Sequence, residues 1–291
     1  FGTANDYATT AARAAKRLIV EVNPRMPRVF GESLLHVSEV DAIVEHETPL
    51  PDLAFPPPAP EDDAIAARIA AMIEDGACLQ MGIGQIPNAV CARLHDRRDL
   101  GIHTELLTPA LARLIADGAV TNRRKATYPG RSVFTFAMGD RDFYAFLDDN
   151  PSLHSAPVHI VNDPRHIAKN DGVVSVNATL EVDLSGACNS EHLLGRQYSG
   201  SGGQLDFVRG ARASRGGKSI IACASTARNG TVSRIVPALN GPVTTPRNDV
   251  HMIVTEYGVA DLTGKTLRAR AEALVAIAHP AFREALSRAI P

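Results

Sequence analysis

The stretch Leu100-Gly101-Ile102-His103-Thr104-Glu105-Leu106-Leu107-Thr108, followed by Pro109, decides how the chain is read. It is a short apolar run broken by a polar triplet. Pro109 opens a helix, because a missing N–H and a fixed φ suit a first helical turn. The spacing predicts a strand over 101–105 and a helix over 109–115. Glu105 then stands at the carboxyl end of a strand, where open α/β sheets bind their ligands. A carboxylate there serves as nucleophile or general base, or only caps the helix that follows. The local sequence leaves both readings open.

Working outward, strands and helices alternate. Further strands are expected at 18–22, 41–45, 78–81, 132–138, 157–161, 172–176, 180–184, 218–223 and 250–254. Helices are expected at 8–16, 61–74, 87–95, 141–147, 164–168, 267–278 and 280–289. Ile65, Ile69 and Ile73 recur at helical spacing. Such alternation predicts an α/β fold with a mixed, mostly parallel sheet flanked by helices. Residues 49–60 hold six prolines, among them Pro56-Pro57-Pro58, and read as an extended linker. The division expected is therefore a remnant of a preceding domain over 1–48, a linker over 49–60 and one α/β domain over 61–291. Phe1-Gly2-Thr3 is not an initiator sequence, so the chain is expected to be the C-terminal part of a longer protein.

Composition bounds the function. The 291 residues are 45% hydrophobic and 21% charged, which is globular composition with a sizeable core. A formal charge of -2 recruits neither nucleic acid nor an anionic membrane. No stretch approaches the length of a membrane span, and a cytoplasmic protein is expected. Cys78, Cys91, Cys188 and Cys223 form no CxxC pair and read as reduced, mostly buried thiols. None of the ten histidines has metal-site spacing, and no metal is expected.

Three other constellations carry chemistry. Gly82-Ile83-Gly84-Gln85-Ile86-Pro87 joins a strand to a helix, where backbone N–H groups face an anion or simply make a tight turn. Its third glycine position is Pro87, so it is no dinucleotide fingerprint. Gly200-Ser201-Gly202-Gly203-Gln204-Leu205-Asp206-Phe207 lets backbone approach a ligand closely, and Gln204 adds an amide donor and a carbonyl acceptor. Its alternative is a flexible surface loop, against which Leu205, Phe207 and Val208 look anchored. Glu256 is a second strand-end carboxylate, read either as functional or as a local cap. Asn122-Arg123-Arg124-Lys125 reads as a solvated face in preference to a phosphate site.

Taken together, these stretches resemble the acetyl-CoA hydrolase/CoA-transferase family, most of all its 4-hydroxybutyrate and butyrate CoA-transferase branch. The resemblance runs through Glu21-Val22-Asn23-Pro24-Arg25-Met26-Pro27, the 82–87 turn, Gly101-Ile102-His103-Thr104-Glu105 and Ser175-Val176-Asn177. It continues through Glu181-Val182-Asp183-Leu184-Ser185-Gly186, the 200–207 loop and 255–264. It implies a class I CoA-transferase-like domain and an acyl-CoA:carboxylate CoA-transferase acting on short-chain acyl-CoA, with coenzyme A as substrate and no metal. The family glutamate that becomes a glutamyl-CoA thioester matches Glu105. The resemblance puts Asn177 near the reacting centre and Gly202 and Gly203 at the wall receiving CoA. Gly82, Gly84, Gln85, Gly200 and Gln204 belong to the matching pocket stretches. Partners expected are an acyl-CoA, a carboxylate, the absent N-terminal domain or a second chain, and further copies in a homo-oligomer. The alternatives are an acyl-CoA hydrolase on the same framework and an inactive CoA-binding fragment.

Overall fold

A computed structural model describes residues 1–53 and 56–290. Its centre is a six-stranded sheet of β1 (Cys78–Met81), β2 (Gly101–Ile102), β3 (Val173–Ala178), β4 (Lys218–Ala222), β5 (Met252–Thr255) and β6 (Gly258–Asp261). The order across the sheet is β6-β5-β4-β3-β1-β2. β1 to β5 are parallel, and β6 returns antiparallel to β5 through a turn at Glu256 and Tyr257. The sheet is thus mixed and mostly parallel, as the alternation predicts.

Among the described residues ten helices surround it: α1 (Ala8–Ala14), α2 (Pro60–Ala70), α3 (Gln85–Cys91), α4 (Pro109–Ala116), α5 (Arg141–Leu147), α6 (Val158–Val161), α7 (Pro164–Ile167), α8 (Gln204–Ala213), α9 (Leu267–Ala276) and α10 (Pro280–Arg288). Successive strand residues pack on opposite sides. Leu79, Met81, Val174, Val176, Ile220, Ala222 and Val254 join Ile65 and Ile69 of α2 and Val90 of α3 in one core. Cys78 and Val173 meet Phe207 and Ala211 of α8 in another, and Ile221 and Ile253 meet Val208 and Leu274 in a third. Both faces are covered, which is why these strands read as continuous apolar runs.

Three elements differ from the sequence expectation. The strand expected over 101–105 ends at Ile102. His103 N still donates to Leu79 O (3.0 Å), but Thr104 N donates to Val133 O (3.0 Å), so the chain changes partners and leaves the sheet. The strand expected over 132–138 is likewise split into Ser132–Phe134 and Phe136–Ala137. At the break, Thr135 N and Phe136 N both donate to Glu105 O (3.1 Å each). The strand expected over 157–161 is the helical turn α6. Ile160 N and Val161 N donate back to Pro157 O, and this coiling overrides the β-branched content. The glycine loop also does not continue through 207, because α8 begins at Gln204. The buried Gln204, Phe207, Val208 and Ala211 follow helical spacing.

Residues 1–53 dock through Asn5 N and Asp6 N, which donate to Thr135 O, and carry a two-stranded parallel pair, Ile19–Val22 with Ala42–Glu45. Ile19, Ile43 and Val44 on that pair are exposed. Of the proline-rich stretch, Leu53 N donates to Gly139 O and Pro51 O accepts from the Tyr144 hydroxyl. Residues 54 and 55 of the expected linker lie outside the described residues. Among the described residues no helix is long and apolar enough to cross a membrane.

Candidate active site

The chain adds β2 on one side of β1 and then β3 on the other. Such a reversal opens a crevice outside the carboxyl ends of the two strands. A cleft of about 390 Å³ lies there, lined by Gly82 after β1, Asn177 near the end of β3, Glu105 and the 198–204 segment. Met81, Leu106, Phe136 and Leu180 supply its apolar wall.

Its floor is a buried amide pair. Gln80 Nε2 donates to Asn177 Oδ1, and Asn177 Nδ2 donates to Gln80 Oε1, each at 3.1 Å. Ser175 Oγ donates to Gln80 Oε1 (2.5 Å) and accepts from Asn177 Nδ2 (3.0 Å). All three residues are in the sheet, so the network fixes Asn177 by satisfying it. A Cβ at position 82 would come within 3.0 Å of Asn177 Oδ1 and 3.2 Å of Val176 O, which keeps that turn bare.

Glu105 is half-buried, and its Oε2 accepts from Gly203 N at 2.9 Å. Gly203 is the N-cap of α8, so the carboxylate meets the positive end of that helix. A Cβ at 203 would strike Glu105 Oε2 and Asn162 Nδ2; a glycine is needed because the carboxylate rests on bare backbone. Burial pushes the Glu105 pKa up. The Gly203 N–H and the Asn162 amide pull it back, while Asp206 and Asp6 push it further up. The result is a carboxylate anchored by few donors in a partly dry site, where burial disfavours the ionised form.

The remaining sequence candidates fall in different places. Gly200, Gly202, Gly203 and Gln204 line the cleft, and Gln204 Nε2 donates to Thr245 Oγ1 (2.9 Å), which ties the start of α8 down. Gly84 is the N-cap of α3, and Gln85 turns away from the cleft, its Nε2 donating to Pro57 O at 3.3 Å. Glu256 stands outside the cleft against Ser225. The 122–125 run is not the solvated face expected. Asn122 and Lys125 are buried, and Lys125 Nζ donates to Ile102 O and Arg131 O at 2.7 Å each, while Arg123 and Arg124 project outward to Asp99. Burial lowers the Lys125 pKa to about 8. All four cysteines are buried and free among the described residues. Sequence reasoning passed over Asn162, which no local motif marks and which folding brings to Glu105.

A family model for the acetyl-CoA hydrolase/transferase C-terminal domain matches residues 139–290. The chain is 52% identical over 285 residues to a succinyl-CoA:cyclohexane-1-carboxylate CoA transferase of Geobacter metallireducens, covering 97% of this chain and 65% of that protein. It is 50% identical over 288 residues to a 4-hydroxybutyrate coenzyme A transferase of Clostridium kluyveri, covering 98% and 67%. Its backbone is similar to the crystal structure of RipA from Yersinia pestis, with a TM-score of 0.95 and 58% identity, covering 99% and 66%. The chain spans about two thirds of the length of these relatives.

Proposed function

The chain belongs to the acetyl-CoA hydrolase/transferase family, and we propose on that premise that it carries the nucleophile of an acyl-CoA:carboxylate CoA-transferase, with Glu105 as that nucleophile and short-chain acyl-CoA as its substrate. The observation that carries this reading is the Glu105 carboxylate set on Gly203 N–H at the start of α8, inside a cleft.

The chemistry runs in balanced steps. The Glu105 carboxylate attacks the thioester carbonyl and expels CoA thiolate, leaving an acyl-glutamyl anhydride. The thiolate attacks the glutamyl carbonyl and expels the acyl group as a carboxylate, leaving a glutamyl-CoA thioester. A second carboxylate enters by the reverse steps, leaves as its CoA ester and restores Glu105. No step gains or loses a net proton. Each passes through a tetrahedral oxyanion, and the Gly203 N–H at the helix N-terminus is aimed at the one that forms on the glutamyl carbon. Asn177, Gly82 and Gly202 form the wall beside the reacting centre, and the apolar side made by Met81, Leu106 and Phe136 receives the acyl chain. In this reading the facing wall comes from sequence beyond these 291 residues or from another chain, and residues 1–48 belong with it.

The test is mass spectrometry of the complete native protein incubated with a panel of short acyl-CoAs and no acceptor. A CoA adduct on the peptide carrying Glu105 is expected, and hydroxylamine should convert it to a glutamyl hydroxamate with release of CoA. Adding acetate should regenerate an acyl-CoA. An adduct on another residue overturns the assignment. Release of free acid and CoA with acetate present and no exchange would make the protein a hydrolase.

A further inference from the structure

The Asn122–Lys125 run is left without a role by the reading above, yet it meets β2 three residues before Glu105. β2 is an edge strand. Gly101 N and His103 N donate to Ala77 O and Leu79 O on the β1 side, so Ile102 between them turns its own N–H and C=O to the outer edge. Backbone serves that edge on either side of Ile102. Leu100 O accepts from Thr121 N and Asn122 N, and Thr104 N donates to Val133 O. At Ile102 itself two side chains stand in for the missing strand. Ile102 N donates to Asn122 Oδ1 (2.8 Å), and Ile102 O accepts from Lys125 Nζ (2.7 Å).

The same Nζ donates to Arg131 O at 2.7 Å, just before the strand Ser132–Phe134. The two segments it joins are the ones that carry Glu105. Residues 102–105 run beside 131–136, and at the far end Thr135 N and Phe136 N both hold Glu105 O. The loop of contacts is therefore closed by Lys125 at one end and by the Glu105 carbonyl at the other. The lysine stem is fitted to this place. A Cβ at Gly101 would come within 2.7 Å of its Cγ and 2.9 Å of its Cδ, so the stem lies on bare backbone. Lys125 is buried, and two carbonyl oxygens, with no carboxylate among the described residues, receive its ammonium. A buried charge without a counterion is costly to a fold, and an edge carbonyl could be satisfied by a neutral donor.

We infer that Lys125 is a positioning residue for Glu105: its ammonium straps Ile102 O to Arg131 O, and transfer is fast only while that strap is charged. The inference rests on the reading of Glu105 as nucleophile. Hydrogen bonds from a charged donor are roughly twice as strong as neutral ones. A neutral amine would leave 102–105 looser against 131–136, and the carboxylate less exactly placed over Gly203 N–H. Burial lowers the Lys125 pKa from 10.5 to about 8. The other titratable groups that face it are Cys78 on β1, His103 beside Ile102 and His154 on the strand Leu153–Ser155. Burial pushes the Cys78 thiol up to about 11 and His103 down to about 3, and holds His154 below its ordinary 6.5. All three are uncharged between pH 7 and 9, so in this group Lys125 alone changes charge there.

The test follows exchange of labelled acetate into acetyl-CoA from about pH 6.5 to 9.5, in the complete native protein and its Lys125→Met, Lys125→Arg and Glu105→Gln variants. In the wild type kcat should fall with one ionisation at about 8. Lys125→Met keeps the stem without donors or charge. Its kcat at pH 7 should be roughly 10- to 100-fold lower, with KM for acetyl-CoA within about twofold and no ionisation near 8. Lys125→Arg stays charged throughout, so its kcat should not decline over this range, whatever its absolute level. A merely structural lysine predicts lower Tm in both variants, with kcat per folded molecule and its pH profile unchanged. The inference is overturned if wild-type kcat is level from pH 7 to 9.5, if Lys125→Met retains kcat within about twofold, or if Lys125→Arg keeps the wild-type decline. Should neither lysine variant fold, the wild-type profile decides alone. Near-normal exchange by Glu105→Gln would instead remove the reading of Glu105 itself, and the inference with it.

Discussion

Two carboxylates stand on the same rim of the central sheet and are held in opposite ways. Glu105 follows β2 at one edge, and Glu256 follows β5 toward the other. Both oxygens of Glu256 are taken by Ser225, whose N–H donates at 2.8 Å and whose hydroxyl donates at 2.5 Å. Its backbone carbonyl accepts from Arg68 on α2. A carboxylate bonded in this way ties the loop after β4 to the β5–β6 turn and has little left to offer a substrate. Glu105 has one amide on Oε2, a neighbouring Asn162 amide and a cleft in front of it. Strand-end position is common to both; what separates them is how completely the protein itself satisfies the charge.

The largest expected effect tests that separation directly. Glu105→Gln keeps size and hydrogen bonding but is no carboxylate nucleophile, so acetate exchange should fall by roughly 10³-fold or more, with no CoA adduct. Glu256→Gln should still form the adduct. The opposite outcome, with both proteins folded, would move the chemistry to residue 256. Next comes the backbone beneath Glu105. Gly203→Ala would drive a methyl group into Glu105 and Asn162, so exchange should drop by about 10²-fold. Gly200→Ala meets at most the distant Gly202 N, 4.0 Å away, and should stay within about threefold. Equal losses at the two glycines would show that loop flexibility, not the close approach at 203, is what matters.

The same contrast shows what could be read before the fold was known. Strands such as Cys78–Met81 and helices such as Arg141–Leu147 were legible, because burial on two faces or on one stripe leaves a periodic trace. The cleft was legible in outline, since glycines and a carboxylate at strand ends meet wherever strand order reverses. The breaks at His103 and Thr135 were not, because each strand changes partners there and only the partner reveals it. Val158–Val161 has strand composition and coils because Pro157 O captures the next turn. Gln85 sits in a promising motif, yet its amide is spent on Pro57. Asn162 reaches Glu105 across 57 residues of sequence, and nothing local to it announces the meeting.

A smaller effect belongs to the Glu256 side. Ser225 is fully buried, and Ser225→Ala removes the hydroxyl while leaving its N–H on the carboxylate. Losing a hydrogen bond to a charged group costs about 1.5–3 kcal/mol. Denaturant midpoints should record that loss with an unchanged m-value, and the rate of adduct formation per folded molecule should not move. A slower adduct would mean that the two ends of the rim are coupled, and that Glu256 acts on the cleft after all.

The smallest effect is on stability at Glu105 itself, and its sign separates the two sites. Burial raises the folded-state pKa of Glu105 above its ordinary value of 4.5. Between that ordinary value and the raised one, the folded protein holds a proton that the unfolded chain has lost. Stability from this group is therefore fully present below the ordinary carboxylate pKa and is lost as pH rises through the folded one. Above that window the ionised carboxylate is a fixed burden on the fold. Glu105→Gln carries no such charge, so at neutral pH it should melt higher than the wild type. The gain should shrink as pH is lowered toward 4.5 and vanish below it. Ser225→Ala should instead melt lower at neutral pH, because it strips a donor from a carboxylate the fold relies on. Scanning calorimetry of the two variants from pH 4 to 8 reads both signs. A Glu105→Gln protein that melts lower than wild type at neutral pH would mean that Gly203 and Asn162 bind the carboxylate more strongly than burial disfavours it. Glu105 would then be a structural anchor like Glu256, and the contrast between the two ends of the rim would be gone.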